Sequence, residues 1–406
     1  MLWYYYTAIL VIVSQLLILF QAFRNYRYVL SKYKKQRYLQ SQRVALIVPC
    51  KGLDSDFEKN IASLFSQDYE NYLLWFVVAE ESDPAYGELC KLKDRLSRGS
   101  KALDIQILVS GRAQSCSQKI HNLLYAYNRI DDKVRILAFA DSDVCLRIDW
   151  LKHIVWPLRQ HRYGAATGYR WFVPKKNNIA TLALSALNAR VAQQFGNMRF
   201  NQAWGGSMAI RADVFRKVGL DKMWPGVLSD DLSLTYAVKK AGMKLAFVPA
   251  CLVASYESTT WPRLFEFARR QFLITRIYRP WTWLSGLAVS LYSVLCLWAT
   301  AALAVYAAMI SDKHLPLFIS VPIIFLLCQA ARAVLRQDMI GKVLEKDREK
   351  MRFARIADIF FSWIWSSLLL VLMLSSAVGR TICWRGIKYE LISPTETIIK
   401  PAKTTH

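Results

Sequence analysis

The sequence predicts an α/β domain, a mostly parallel sheet with helices on both faces, joined to α-helical membrane segments on either side. Short apolar runs alternate with helical periodicity between residues 43 and 256, and most other apolar residues gather into long, nearly uncharged stretches. The first pattern builds a sheet wrapped by helices; the second needs hydrocarbon around it.

Arg43-Val44-Ala45-Leu46-Ile47-Val48-Pro49 is a short apolar run closed by proline, the pattern of a strand buried on both faces. Phe57, Ile61, Leu64 and Phe65 then recur at helical spacing. Residues 72–78, 105–109 and 134–139 are further apolar runs, with a helical pattern over 120–127 between the last two. Strands alternating with helices imply parallel pairing. In such sheets ligands bind beyond the carboxyl ends of the strands, where loops present polar groups without burying unpaired backbone. Polar clusters follow each strand: residues 49–54, then Glu80-Glu81-Ser82-Asp83, Gly111-Arg112 and Asp141-Ser142-Asp143.

Residues 2–23, beginning Trp3-Tyr4-Tyr5-Tyr6, have about the 20 residues a helix needs to cross ~30 Å of hydrocarbon. Arg24, Arg27, Lys32, Lys34, Lys35, Arg37 and Arg43 follow, which places the next segment in the cytoplasm by the positive-inside rule. A cleaved leader would carry its charges before the apolar core and small residues after it, so the stretch reads as an anchor. Three more apolar segments, 284–310, 315–331 and 358–378, come later. The expected organisation is an anchor over 1–23, a basic linker over 24–43, a cytosolic domain over 44–260 and an interfacial amphipathic segment over 261–283. Membrane segments over 284–380, with a basic loop at 332–357, and a tail over 381–406, loose from 393 onward, complete it. Three spans would carry the tail outside, whereas Arg380, Arg385 and Lys388 favour the inside, a conflict that one re-entrant segment resolves.

Charge and cysteine usage exclude other classes. The 54 Lys+Arg against 30 Asp+Glu cluster beside the apolar segments, at 24–43, 263–279 and 332–355, which points to anionic lipid head groups. No nucleic-acid motif accompanies them. The eight cysteines show no C-x-x-C pair and no zinc spacing, which fits a reduced cytosolic domain. The cores of the apolar segments hold almost no ionisable residues, unlike a channel or transporter.

Asp141-Ser142-Asp143 puts two carboxylates two residues apart just after a buried strand, where both can reach one hard cation together with a diphosphate. Mg²⁺ or Mn²⁺ suits such oxygen ligands, and an Asx-turn with two solvated aspartates is the plainer alternative. Ser229-Asp230-Asp231 precedes the helical pattern of Leu232, Leu234, Ala237 and Val238. It reads as an N-cap, Ser229 or Asp230 accepting first-turn amides, and a carboxylate held there can also act as a general base. Trp204-Gly205-Gly206-Ser207 is a stretch with little side-chain bulk, suited to close approach of a sugar to backbone.

In this order, Pro49-Cys50-Lys51-Gly52, Glu80-Glu81-Ser82-Asp83-Pro84-Ala85, Lys119-Ile120-His121-Asn122, Asp141-Ser142-Asp143, Gly205-Gly206-Ser207 and Asp230-Asp231 resemble the family 2 glycosyltransferase domain of GT-A fold. More narrowly they resemble the ceramide glucosyltransferase group, a likeness that covers most of the chain and extends to Trp384-Arg385-Gly386 in the tail.

The resemblance implies an inverting hexosyltransferase that takes a nucleotide-sugar donor, a uridine diphosphate hexose in chemical type, and a membrane lipid acceptor. It implies a donor-site aspartate at Asp83, metal and diphosphate binding at Asp141 with Asp143, and a catalytic base at Asp231. Lys119 would lie near the nucleotide, and Pro49, Lys51, Gly205, Gly206, Arg270 and Gln271 would line the donor site. The group's last motif ends in Arg-Trp, whereas Leu273-Ile274 or Ile274-Thr275 stands at that position here. Arg269, Arg270 and Arg276 are left to meet phosphates or lipid head groups. An isoprenyl-phosphate or polysaccharide acceptor, and a non-catalytic membrane scaffold, are the rival readings; intact Asp83, Asp141, Asp143 and Asp231 speak against the scaffold.

Overall fold

Four parallel strands lie where the apolar runs predict them. The computed structural model describes residues 2–37, 42–54 and 56–400. In it β1 (Arg43–Pro49), β2 (Tyr72–Val78), β3 (Asp104–Val109) and β4 (Val134–Ala140) pair in the order β3-β2-β1-β4. Alternate residues of β1 serve opposite layers, as a pleated strand requires. Val44, Leu46 and Val48 pack with Ile61, Leu89 and Trp150 on one face, and Ala45 and Ile47 with Ile120, Phe215 and Leu234 on the other.

Three strands that the apolar pattern did not predict extend the sheet beyond β4: β5 (Tyr163–Pro174), β6 (Ser207–Arg211) and β7 (Lys244–Glu257), in the order β4-β6-β5-β7. β6 runs antiparallel to both neighbours, while β5 and β7 are parallel. Their sequences hide them. β6 is short and begins inside the Gly-Gly-Ser stretch, while β5 contains Gly168 and Arg170 and β7 contains Pro249. At Gly168 the β5–β7 register shifts, and a Cβ there would lie 1.9 Å from the Cys251 carbonyl oxygen.

The helices Trp3–Lys32, Pro280–Met309 and Leu315–Val343 are each long and apolar enough to cross a membrane. The segment expected at 358–378 is not one straight helix. Arg352–Phe360 and Ser362–Ser375 meet at 84°, as in a broken span or a re-entrant loop. The helix Leu315–Val343 also continues through the first part of the expected basic loop. There Arg336 and Gln337 reach the fully buried Asp358, while Arg332 reaches Gln15. These charges are spent on side-chain partners inside the bundle, which is why they do not force a loop. Val29, Tyr33, Met339, Ile340 and Val343 pack against Trp171, Phe247 and Leu252 of the domain and so fix the bundle to the β5–β7 side of the sheet.

The tail folds as a second, antiparallel sheet of β8 (Thr381–Trp384), β9 (Ile387–Ser393) and β10 (Glu396–Lys400). Ile382, Tyr389 and Leu391 are buried in the same cluster as Leu228 and Tyr278 of the domain. Most of residues 393–400, expected to be loose, is instead held by the pairing of β10 with β9. Residue 1 of the anchor, 38–41 of the linker and 401–406 of the tail lie outside the described residues.

Candidate active site

A cleft of about 810 Å³ opens beyond the carboxyl ends of β1 and β4. At one end it is polar, lined by Asp54, Asp141, Asp143, Asp230 and Asp231; at the other Leu184, Leu187, Leu264 and Phe272 make it apolar. The helix Gln118–Tyr127, capped by Ser117, carries Lys119 into the polar end. Lys119 Nζ lies 2.7 Å from Asp141 Oδ1 and 3.1 Å from Asp230 Oδ2. Burial alone would lower its pKa, but Asp141, Asp230 and Asp231 outweigh this and hold it above the usual lysine value. The ammonium is therefore charged and committed to carboxylates.

The two adjacent glycines explain how these groups come so close. A Cβ on Gly205 would lie 2.4 Å from Asp230 Oδ2 and 2.5 Å from Lys119 Nζ, and one on Gly206 would lie 2.9 Å from Asp141 Oδ2. Only glycine leaves room for the ions at both positions.

The helix Asp230–Lys240 is capped by Ser229, whose Oγ accepts the Leu232 amide at 3.2 Å. Serine supplies the cap, and the Asp231 carboxylate shares in it. Asp231 Oδ1 accepts Ser229 Oγ at 2.5 Å and the Leu232 amide at 2.7 Å, and Oδ2 accepts the Gly205 amide at 3.1 Å. Its carboxylate is fixed in orientation at the cleft wall, the preorganisation a general base needs. Asp230 is buried, and burial together with Asp231 and Asp141 raises its pKa to about 6 against the pull of Lys119.

Asp143 Oδ1 is buried and has no hydrogen-bond partner among the described residues. Burial, then the neighbouring Asp141, pushes its pKa up to about 6. An unpaired buried carboxylate oxygen is costly unless a cation joins it. Among the described residues no three His, Cys, Asp or Glu side chains converge as metal ligands. Two carboxylates without a third ligand fit Mg²⁺ or Mn²⁺, which commonly take the rest of their shell from phosphate and water oxygens, and do not fit structural zinc.

Cations balance this end. The Arg170 guanidinium sits 4.7 Å from the Phe172 ring centre, 5.4 Å from Trp204 and 5.2 Å from Phe267. Arg270 lies 5.7 Å from Phe267 and 5.9 Å from Trp384, and burial, then Arg170, lowers its pKa from the usual arginine value. Arg385, from the tail, joins Asp54 at 3.1 Å.

The family model of glycosyl transferase family 21 matches residues 5–397. The chain belongs to glycosyl transferase family 21. A ceramide glucosyltransferase of Komagataella phaffii (strain GS115 / ATCC 20864) is 27% identical over 145 residues, 34% of this chain and 27% of the relative. The match thus spans about a quarter of that relative's length. Among solved structures, a mannosyltransferase from Pyrobaculum calidifontis in complex with GDP-Man and Mn²⁺ aligns with 90% of this chain and 96% of its own, at 13% identity and a TM-score of 0.45. A GalNAc-T7 structure with UDP, GalNAc and Mn²⁺ aligns with 56% of this chain and 48% of its own, at 13% identity and a TM-score of 0.37.

In this family 21 glycosyltransferase, Pro49, Lys51, Lys119, Asp141, Asp143, Gly205, Asp231, Arg270 and Gln271 all line the one cleft. Asp83 and Gly206 are not in its wall. Asp83 Oδ1 accepts the Gly52 amide at 2.8 Å and the Ala85 amide at 2.9 Å, so it caps a helix and ties together the loops after β1 and β2. Arg269 and Arg276, unlike Arg270, are not in the cleft wall and meet backbone acceptors. They donate to the carbonyls of Ser375, Ala377, Val378 and Gly379, satisfying backbone at and just beyond the end of the last apolar helix. Asp54 and Arg170 also line the cleft, and neither stands in a motif that marks it in the sequence. Asp54 carried a signal, since it follows the first strand; Arg170 lies in β5, which the apolar pattern did not reveal.

Proposed function

We propose that this glycosyltransferase moves a hexose, with inversion, from a uridine diphosphate sugar to the hydroxyl of a membrane lipid at the cytoplasmic face. The carrying observation is that one continuous cleft joins a carboxylate-and-arginine end to an apolar end. The first suits a nucleoside diphosphate, the second an acyl or alkyl chain. The apolar end is built by the helices Ile179–Ala192 and Trp261–Tyr278, and the latter also packs against the last apolar helix through Leu264, Ala268 and Leu372. Trp261 and Trp281 flank that packing and are 42% and 80% exposed, as befits rings at a head-group layer.

In the proposed reaction Asp231 accepts the proton of the acceptor hydroxyl as its oxygen attacks the anomeric carbon. Arg170 and Arg270 offset the charge on the leaving diphosphate. Preorganised charge of this kind typically contributes about 3–4 kcal/mol per group. A divalent cation, held by Asp141 and Asp143, would add Lewis-acid neutralisation of the diphosphate. The known ceramide glucosyltransferase relative, although distant, supports a lipid hydroxyl as acceptor. Leu273 is buried in the domain core and Ile274 and Thr275 line the cleft, so no tryptophan stands at that motif position.

The experiment is to compare a long-chain lipid acceptor with the same head group on chains trimmed to water solubility. The proposal expects the trimmed acceptor to lose most of the rate, and Trp261→Ala with Trp281→Ala to raise the acceptor requirement without altering donor affinity. Equal efficiency with a short soluble alcohol or a free oligosaccharide would rule out access from the bilayer.

A further inference from the structure

The tail sends one charged side chain back across more than three hundred residues of sequence to the polar end of the cleft. β8 and β9 are joined by the two-residue turn Arg385-Gly386, with Trp384 paired to Ile387. Both turn residues are left-handed, at φ 48° and 81°. Gly386 adopts this freely, but a residue with a Cβ seldom does, and the first position of such turns favours Asn, Asp or Gly. An arginine there needs a reason beyond the turn itself. Its contacts supply one. Arg385 Nη2 lies 3.1 Å and 3.2 Å from the two oxygens of Asp54, Nη1 donates to the Lys51 carbonyl, and Lys51 Nζ donates to the Arg385 carbonyl at 3.1 Å. Asp54 in turn accepts Ser142 Oγ at 3.1 Å, within Asp141-Ser142-Asp143. The turn is held there by the buried Ile382, Tyr389 and Leu391.

Two of the cleft's other cations already have close neighbours. Lys119 is shared between two carboxylates, and Arg170 is packed among three rings. Arg385 is partly exposed, its side chain 38% accessible, and its partner Asp54 presents two oxygens as a phosphate group would. We propose that Arg385, delivered by the carboxy-terminal hairpin, binds the diphosphate of the donor, exchanging Asp54 for phosphate oxygens. The inference rests on the transferase reading above and assigns the tail a part in donor binding.

The test uses the full chain in detergent and equilibrium binding of UDP, GDP, ADP and CDP, each beside its own nucleoside. For the tightest diphosphate, Arg385→Gln is expected to lose about tenfold or more in affinity, with the nucleoside unchanged and Arg385→Lys recovering part. Asp54→Asn, which frees Arg385, is expected to keep or raise diphosphate affinity. An equal loss for diphosphate and nucleoside, or no loss, would overturn the proposal and leave Arg385 a structural residue of the turn. Were the wild-type chain to bind none of the four diphosphates, the proposed nucleotide-sugar donor itself would fall.

Discussion

Asp358, among the apolar helices, is fully buried, and Asp143, in the cleft, has one buried carboxylate oxygen, yet their surroundings differ. Asp358 meets Arg336 at 2.6 Å and 2.5 Å through its two oxygens, and Gln337 adds a third contact at 2.8 Å. Asp143 has a buried oxygen with no partner among the described residues, and the like charge of Asp141 beside it. A closed pair of this kind fixes how helices meet and has nothing left to offer a ligand. An open carboxylate is held at a cost to the fold, and that cost is recovered only when a cation or substrate arrives.

Breaking the closed pair should give the largest loss of stability. Asp358→Ala leaves Arg336 buried and unpaired, so thermal unfolding in detergent should show about 3–5 kcal/mol lost. The double change Arg336→Met with Asp358→Leu should restore most of it. If the single change were silent, the bundle cluster would not be the structural one.

In the cleft the losses should fall on activity. Asp231→Asn is expected to slow transfer by about 10²–10⁴-fold while nucleotide-sugar affinity stays within a few-fold, because a base acts chiefly in the transition state. A variant that lost donor binding but turned over bound donor normally would assign Asp231 to the donor site instead.

The smallest effect sharpens the contrast most. Asp143→Asn removes an ionised group from a site that does not satisfy it, so the metal-free protein should be no less stable than wild type. In wild type, Mn²⁺ at about 100 times its dissociation constant should add about 2.7 kcal/mol of stability, and in Asp143→Asn little. An equal rise in both would remove Asp143 from the metal site.

The same contrast explains what was legible in the sequence. β1, β2 and β4 are buried on both faces, so their apolar runs announce them, and the polar loops at their ends mark Pro49, Lys51, Asp141 and Asp143. Ser229 and Asp231 were visible as a helix start. Arg170 was not, because it sits in a strand whose burial is shared with glycines and an arginine. Asp358 showed only as an acidic residue at the edge of an apolar segment. Its partner lies 22 residues earlier, and nothing local names the pairing. Arg269, Arg270 and Arg276 share one helix, but only the fold shows that Arg270 alone lines the cleft.

The most direct measurement is incorporation of radiolabelled sugar from a panel of nucleotide-sugars into solvent-extractable lipid by the purified chain, with Asp231→Asn alongside. The account predicts label in a lipid product from one donor, strongest with a uridine diphosphate hexose, dependent on Mg²⁺ or Mn²⁺, and nearly absent in the variant. Label confined to free sugar or a water-soluble oligosaccharide, or full transfer in EDTA by the Asp231→Asn protein, would contradict it.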